Sequence, residues 1–404
     1  SDENYRLLGL FRVWNVMEYY NPYLDILDED WEELLPDFIV RMLQDTDRHS
    51  YDLTIAALTA KLQDAHVIYN ERSEFIQKEF GEYIVNDIEF VSAEGEVVIV
   101  QTFDESCPLQ AGDIVRKLDG VDIKDVIQHC TEYYSVPMDG KICNALRYPL
   151  FRSHDTTLEV TVLRDGEEKT IDVPAGEFPS SFIPRYGASY QEGEKKPYEI
   201  IEGNIGVINP DFMNLQSGAV HGNEVKWAEA MNALKDTDGL IVDYRQYPAN
   251  SWQHLPPYLF EEAEVGLLTA SISEAVPGTF IKEPVFNFNT KPRSAYRYDK
   301  EVVVLIDEHS QSASEYAAML VQNGEKVTLM GENTVGADGY CLILPIPGGN
   351  KVMYTACGIY TPDGGQTQRI GVSPDIEVKK TIEGIKEGRD ELMEAAVEYI
   401  QEQK

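Results

Sequence analysis

The chain has 404 residues, 43% hydrophobic and 26% charged, and 70 acidic against 34 basic side chains give a formal net charge of −36. That length accommodates two or three domains and a large core. The acidic balance argues against nucleic acid as a partner, because phosphate binding needs clustered Lys and Arg, and no apolar run reaches the roughly 18–20 residues of a membrane-spanning helix. Five cysteines (Cys107, Cys130, Cys143, Cys341 and Cys357) lack metal-ligand spacing. Their odd number excludes complete pairing within the chain. The opening Ser1-Asp2-Glu3 reads as the start of a processed form, with any targeting signal outside it.

Residues 1 to about 63 read as helices. Leu7, Leu8, Leu10, Phe11, Trp14 and Met17 recur at helical spacing until Asn21-Pro22 breaks the run. Trp31, Leu34, Leu35, Phe38 and Met42 follow an acidic lead-in, Asp28-Glu29-Asp30, which suits a helix N-terminus. Tyr51 to Leu62 makes a third helix. It runs into Leu62-Gln63-Asp64-Ala65-His66 and a short extended stretch, Val67-Ile68-Tyr69. A histidine at such a junction is either a satisfied structural residue or a general base, and only a nucleophile nearby in space makes it the second.

From about Glu82 to Pro174 the chain turns to short strands: Glu96–Phe103, Ile114–Leu118, and a hairpin of Thr157–Leu163 with Lys169–Val173 across Asp165-Gly166. Pro174 to Glu199 has the Pro, Gly, Ser and charge content of a linker. Beyond it strands alternate with helices: Ile205–Ile208, Val225–Leu234 and Gly239–Asp243, then the turn Asp243-Tyr244-Arg245-Gln246-Tyr247-Pro248-Ala249-Asn250 and a helix-like stretch to Phe260. This alternation predicts an α/β layer architecture. Asp390 to Gln401 closes the chain as an amphipathic helix.

The richest stretch is Glu301 to Tyr340. Val302–Ile306 is a continuous aliphatic run, as in a strand buried on both faces. A polar turn, Asp307–Gln311, leads into Ser312-Ala313-Ser314-Glu315, an apolar-periodic segment from Tyr316 to Val321, and a second buried strand, Val327–Met330. A serine at the helix start stands where free N–H groups and the positive helix end converge, the geometry acyl transfer needs. Ser312-x-x-Glu315 is equally a capping box with no catalytic purpose.

Around Leu109-Gln110-Ala111-Gly112-Asp113-Ile114 and Leu118-Asp119-Gly120-Val121 the sequence resembles a PDZ domain, a module that adds a peptide strand to its sheet edge. With Leu62–His66, Ser310–Glu315, Gly331-Glu332-Asn333-Thr334-Val335-Gly336 and Gly371-Val372-Ser373-Pro374-Asp375-Ile376 added, nearly the whole chain resembles the serine peptidases of the C-terminal processing and tricorn type. The resemblance implies a multidomain α/β protein: a helical N-terminal region (1–78), a PDZ-like β domain (79–178) and a crotonase-like α/β peptidase core (179–404). It implies Ser312 as nucleophile. One branch of the family activates the serine with a lysine, whose position here is Ala337. The tricorn-like branch uses a histidine that maps onto His66. Ala313 N–H and Ala249 N–H then correspond to the oxyanion hole, and Gln368 falls where the family places an orienting glutamate. No metal or cofactor is implied. The implied partner is a peptide or protein substrate, and the implied setting is periplasmic or extracellular. Ala65, Gln368 and Ala249 depart from the family's serine, glutamate and glycine. They leave open a second reading, a peptide- or small-ligand-binding protein on the same scaffold. A crotonase-type acyl-CoA enzyme fits less well, for want of a basic patch to hold nucleotide phosphates.

Overall fold

The computed structural model describes residues 2–69, 74–86, 88–137, 141, 145–177, 196–210, 220–248, 252–288 and 296–404. The chain begins with helix Glu3–Tyr20, started by Asp2, whose carboxylate accepts the Asn4 N–H at 2.9 Å, and stopped at Asn21. Helices Trp31–Gln44 and Arg48–Ala60 follow, capped by Asp30 and Asp47. Their apolar faces meet in one core, where Leu10, Val13, Met17, Trp31, Phe38, Met42, Ile55 and Leu58 are all buried. Burying such side chains is worth roughly 1.5–3 kcal/mol each, which explains why their spacing was readable.

A six-stranded antiparallel sheet comes next in space, ordered Ile88–Ala93, Glu96–Thr102, Ile114–Leu118, Thr157–Arg164 and Glu167–Pro174, with Val121–Asp122 paired to Ile114–Leu118 off this path. Helix Ile123–Thr131 accompanies it. Gly112 and Asp113 serve the turn into the third strand. Asp113 is buried and takes a two-pronged contact from Arg164, with both distances 2.6 Å.

A second, mostly parallel sheet orders Tyr198–Ile201, Ile205–Ile208, Gly239–Asp243, Glu301–Ile306, Val327–Gly331 and Ile376–Glu377. Its central strand shows why the sequence there is a continuous apolar run. Val302, Val304 and Ile306 pack into a core shared with helices Val220–Leu234 and Ala313–Val321. Val303 and Leu305 pack on the other side against Leu392, Ala396 and Ile400 of the C-terminal helix Glu391–Glu402. Both faces are covered, as a parallel strand requires.

Three pieces of this architecture have no counterpart in the sequence reading. Val265–Ile272 and Phe280–Phe286 form a hairpin joined by Cys357–Tyr360. Cys341–Pro345 and Lys351–Thr355 form another. The third is the pairing of Ile68–Tyr69 with Lys351–Thr355, which stitches the segment after His66 to a strand nearly 300 residues later. Most of the 174–199 linker lies outside the described residues.

Candidate active site

Strand Glu301–Ile306 delivers the chain to a tight turn in which Asp307 N–H donates to Ser310 Oγ at 3.0 Å, and Ser310 Oγ donates to Tyr244 O at 3.0 Å. Ser312 follows with φ 57° and ψ −114°, a strained backbone for a residue with a side chain, and helix Ala313–Val321 begins directly after it. What holds the strain is Glu315. Its buried carboxylate accepts the Ser312 N–H (3.0 Å), the Gly336 N–H (2.8 Å), the Ala337 N–H (3.1 Å) and the Thr334 hydroxyl (2.5 Å). The Ser312 N–H also reaches Ala337 O at 3.0 Å. Glu315 thus does far more than cap a helix: it clamps the serine to the 334–337 loop. That loop is itself pressed against the next segment, since a Cβ on Gly336 (φ +76°) would meet Gly371 N at 2.9 Å.

The Ala313 N–H makes no hydrogen bond among the described residues, so it faces the site as a free donor at the positive helix end. Ala249, the other expected oxyanion donor, lies outside the described residues. Its turn is anchored nonetheless. Buried Arg245 bridges Asp243 (2.9 and 3.0 Å) and Asp390 (both contacts 2.8 Å), tying the 243–248 segment to the N-cap of the C-terminal helix. Tyr247 stands exposed in the same turn.

Ala337, the lysine position of the other branch, is fully buried. Its neighbour Asp338 is buried beside Glu315, with Oδ1 accepting the Gly339 N–H (2.7 Å) and Oδ2 lacking a partner among the described residues. Burial raises the carboxyl pKa of both acids, and the Glu315 charge raises that of Asp338 further, well above the ordinary range. Four donors favour the charge on Glu315.

His66 is buried as well. Its Nδ1 meets Thr355 Oγ1 at 3.2 Å, and the Thr355 hydroxyl donates to Asp64 Oδ2 at 2.6 Å. With that proton committed to Asp64, the Thr355 oxygen is free to accept Nδ1–H, which leaves the Nε2 lone pair for a proton. Asp64 is fixed in turn, its Oδ1 accepting the His66 N–H (2.9 Å) and its own N–H bonding Ser135 Oγ (2.7 Å). Burial depresses the His66 pKa below 6.5, partly offset by Asp64.

Segments flanking the two halves meet at one small recess. Ala65 and Val67, which flank His66, and Gln311, which precedes Ser312, line the same recess with Tyr69, Phe75 and Tyr148. His66 and Ser312 are each one residue from this lining and do not themselves line it, and no hydrogen bond joins them. Gln368 is buried, and neither polar atom of its side chain has a partner among the described residues, so it does not hold the histidine. That task falls to Thr355 and Asp64, which the sequence reading did not select. Asp64 was visible in Asp-Ala-His; Thr355 carried no signal, because its role depends on the pairing of Ile68–Tyr69 with Lys351–Thr355.

Residues 258–378 match the model for Peptidase family S41. That segment, under a third of the chain, is what resembles the family. Among curated proteins, the carboxy-terminal-processing protease of Bartonella bacilliformis is 24% identical over 326 residues, 75% of this chain and 63% of the relative. A probable CtpA-like serine protease of Staphylococcus haemolyticus is 24% identical over 346 residues, 81% of this chain and 60% of the relative. The chain thus spans about three fifths of the length of these relatives. Among solved structures, mature CPAF complexed with lactacystin superposes with a TM-score of 0.73 at 15% identity, covering 99% of this chain and 97% of that one. The photosystem II D1 C-terminal processing protease gives 0.52 at 17% identity, covering 97% and 99%. At these identities the likeness is one of fold: a mixed α/β multidomain architecture with N-terminal helices.

Proposed function

We propose that this chain is a serine endopeptidase with Ser312 as nucleophile and His66 as general base. The observation that carries the reading is the clamped, strained Ser312 at a helix start beside the unspent Ala313 N–H. Ser312 Oγ attacks the peptide carbonyl and gives its proton to His66 Nε2. The imidazolium is held through Nδ1–H by Thr355, with Asp64 behind it, and the oxyanion is held by Ala313 N–H. His66 then passes the proton to the leaving amine, and water repeats the cycle on the acyl-enzyme.

The six-stranded sheet with helix Ile123–Thr131 is read as a PDZ-like module. Its edge strand Ile88–Ala93 is suited to receive a substrate's C-terminal segment. The layered parallel sheet is read as the crotonase-like core.

Hydrolysis of a generic unfolded protein by the parent, abolished in Ser312→Ala with an unchanged circular dichroism spectrum, is the expected result. Equal hydrolysis by both proteins would remove Ser312 from the chemistry. A folded but inert parent that still binds peptide would favour the binding reading.

A further inference from the structure

We propose that the outer edge of strand Cys341–Pro345 is a rail that pairs with the backbone of an extended, apolar peptide and feeds it to Ser312. The proposal rests on the peptidase reading and adds to it the element that aligns the substrate. Cys341–Pro345 pairs on one side only, antiparallel to Lys351–Thr355, and no described strand covers its other side.

The hydrogen-bond parity of this strand follows from its two ends. Ala356 N–H donates to Tyr340 O at 2.8 Å, and Ile346 N–H donates to Asn350 O at 2.9 Å. In an antiparallel ladder alternate residues face the partner. Tyr340, Leu342, Leu344 and Ile346 therefore spend their backbone groups inward, and Cys341, Ile343 and Pro345 turn theirs outward. Pro345 has no N–H to offer, as befits an edge. The rail thus presents two outward donors, Cys341 N–H and Ile343 N–H, about 7 Å apart along the strand.

Edges of this kind are usually guarded by lysines or bulges. This one has neither: Tyr340 is 68% exposed, Leu342 43% and Ile343 61%, so the strand stands proud with apolar side chains on both faces. Its position selects the occupant. The strand starts four residues after Ala337, whose carbonyl holds the Ser312 N–H. A strand added here passes the nucleophile.

The test uses Ile343→Pro, which deletes an outward N–H that the fold does not use. Ser312 inactivation is timed with an apolar tetrapeptidyl diphenylphosphonate and with a small alkyl fluorophosphonate. The expected result is a drop of about 2- to 10-fold with the peptidyl reagent, the worth of one backbone hydrogen bond, and no change with the alkyl reagent. N-methylation of a backbone amide in the peptidyl reagent should slow its reaction with the parent protein, a measurement that stands even if Ile343→Pro does not fold. Equal peptidyl rates for parent and Ile343→Pro, or no N-methyl effect at any position, would overturn the rail. So would sedimentation showing a parent dimer that Ile343→Pro dissolves, since a second copy would then own the edge. A parent inert to the alkyl reagent would instead overturn the reading of Ser312 itself.

Discussion

The Ser312 half and the His66 half of the candidate site are built on different plans. Ser312 is held by one short piece of chain: a buried strand, a turn, a helix start and the 334–337 loop, with Glu315 gathering four donors from within 22 residues. His66 is held by neighbouring Asp64 and by Thr355 and Ser135, two segments remote in sequence, and its ring has a single hydrogen bond among the described residues. The first half is over-determined and stiff. The second can be altered one link at a time, so damage to the two should look different: stability for the serine clamp, turnover for the histidine relay.

The largest expected effect is on the base. His66→Ala should lower kcat by about 10⁴- to 10⁶-fold, as loss of a triad histidine does, with little change in melting temperature. The base must be neutral to work, and burial lowers its pKa. The acid limb of kcat/KM should therefore fall below pH 6.5. A limb above 6.5 would mean that another group titrates.

Glu315→Gln should show the opposite signature. An amide cannot accept four donors, so buried N–H groups are left unpaired, at a cost of about 3–5 kcal/mol in chemical denaturation. An unchanged denaturation midpoint would show that the clamp is dispensable.

Thr355→Val cuts the link between Asp64 and the imidazole. It should reduce kcat about 10- to 100-fold, a fraction of the whole general-base contribution. It should also move the acid limb lower, because the imidazolium loses its acceptor, and Thr355→Ser should restore both. Full activity in Thr355→Val would assign His66's orientation to something else.

Asp338→Asn is the mildest. The native state holds this proton at pH values where the unfolded chain has released it, so stability from Asp338 falls as pH rises above about 4 toward its raised pKa. An amide at this position does not titrate and carries no such loss. The substituted protein should keep activity within about twofold and gain stability over the parent as pH rises toward 7. A collapse of activity would mean that the Asp338 charge takes part.

The same contrast explains what could be read from the sequence. Val302–Ile306, Ser312 and Glu315 were legible because local periodicity and a cap motif carry them. The N-terminal helices were legible because Leu10, Met17, Trp31 and Phe38 repeat on buried faces. Capping was foreseen for Glu315, but its reach to Thr334, Gly336 and Ala337 was not, since that depends on how the loop folds back. Thr355 and the Cys341–Pro345 edge were silent. Thr355 is an ordinary strand residue until Ile68–Tyr69 pairs beside it. Gln368 could be singled out only through resemblance, and its buried amide hydrogen bonds neither Ser312 nor His66.

The most direct test of the account is site mapping after treatment with a fluorophosphonate at neutral pH. The account predicts one phosphonylated residue, Ser312, with labelling absent in Ser312→Ala and at least 100-fold slower in His66→Ala, the lower bound of a general base's contribution of about 10²–10⁴. Labelling of a different serine, or equal rates in parent and His66→Ala, would contradict it.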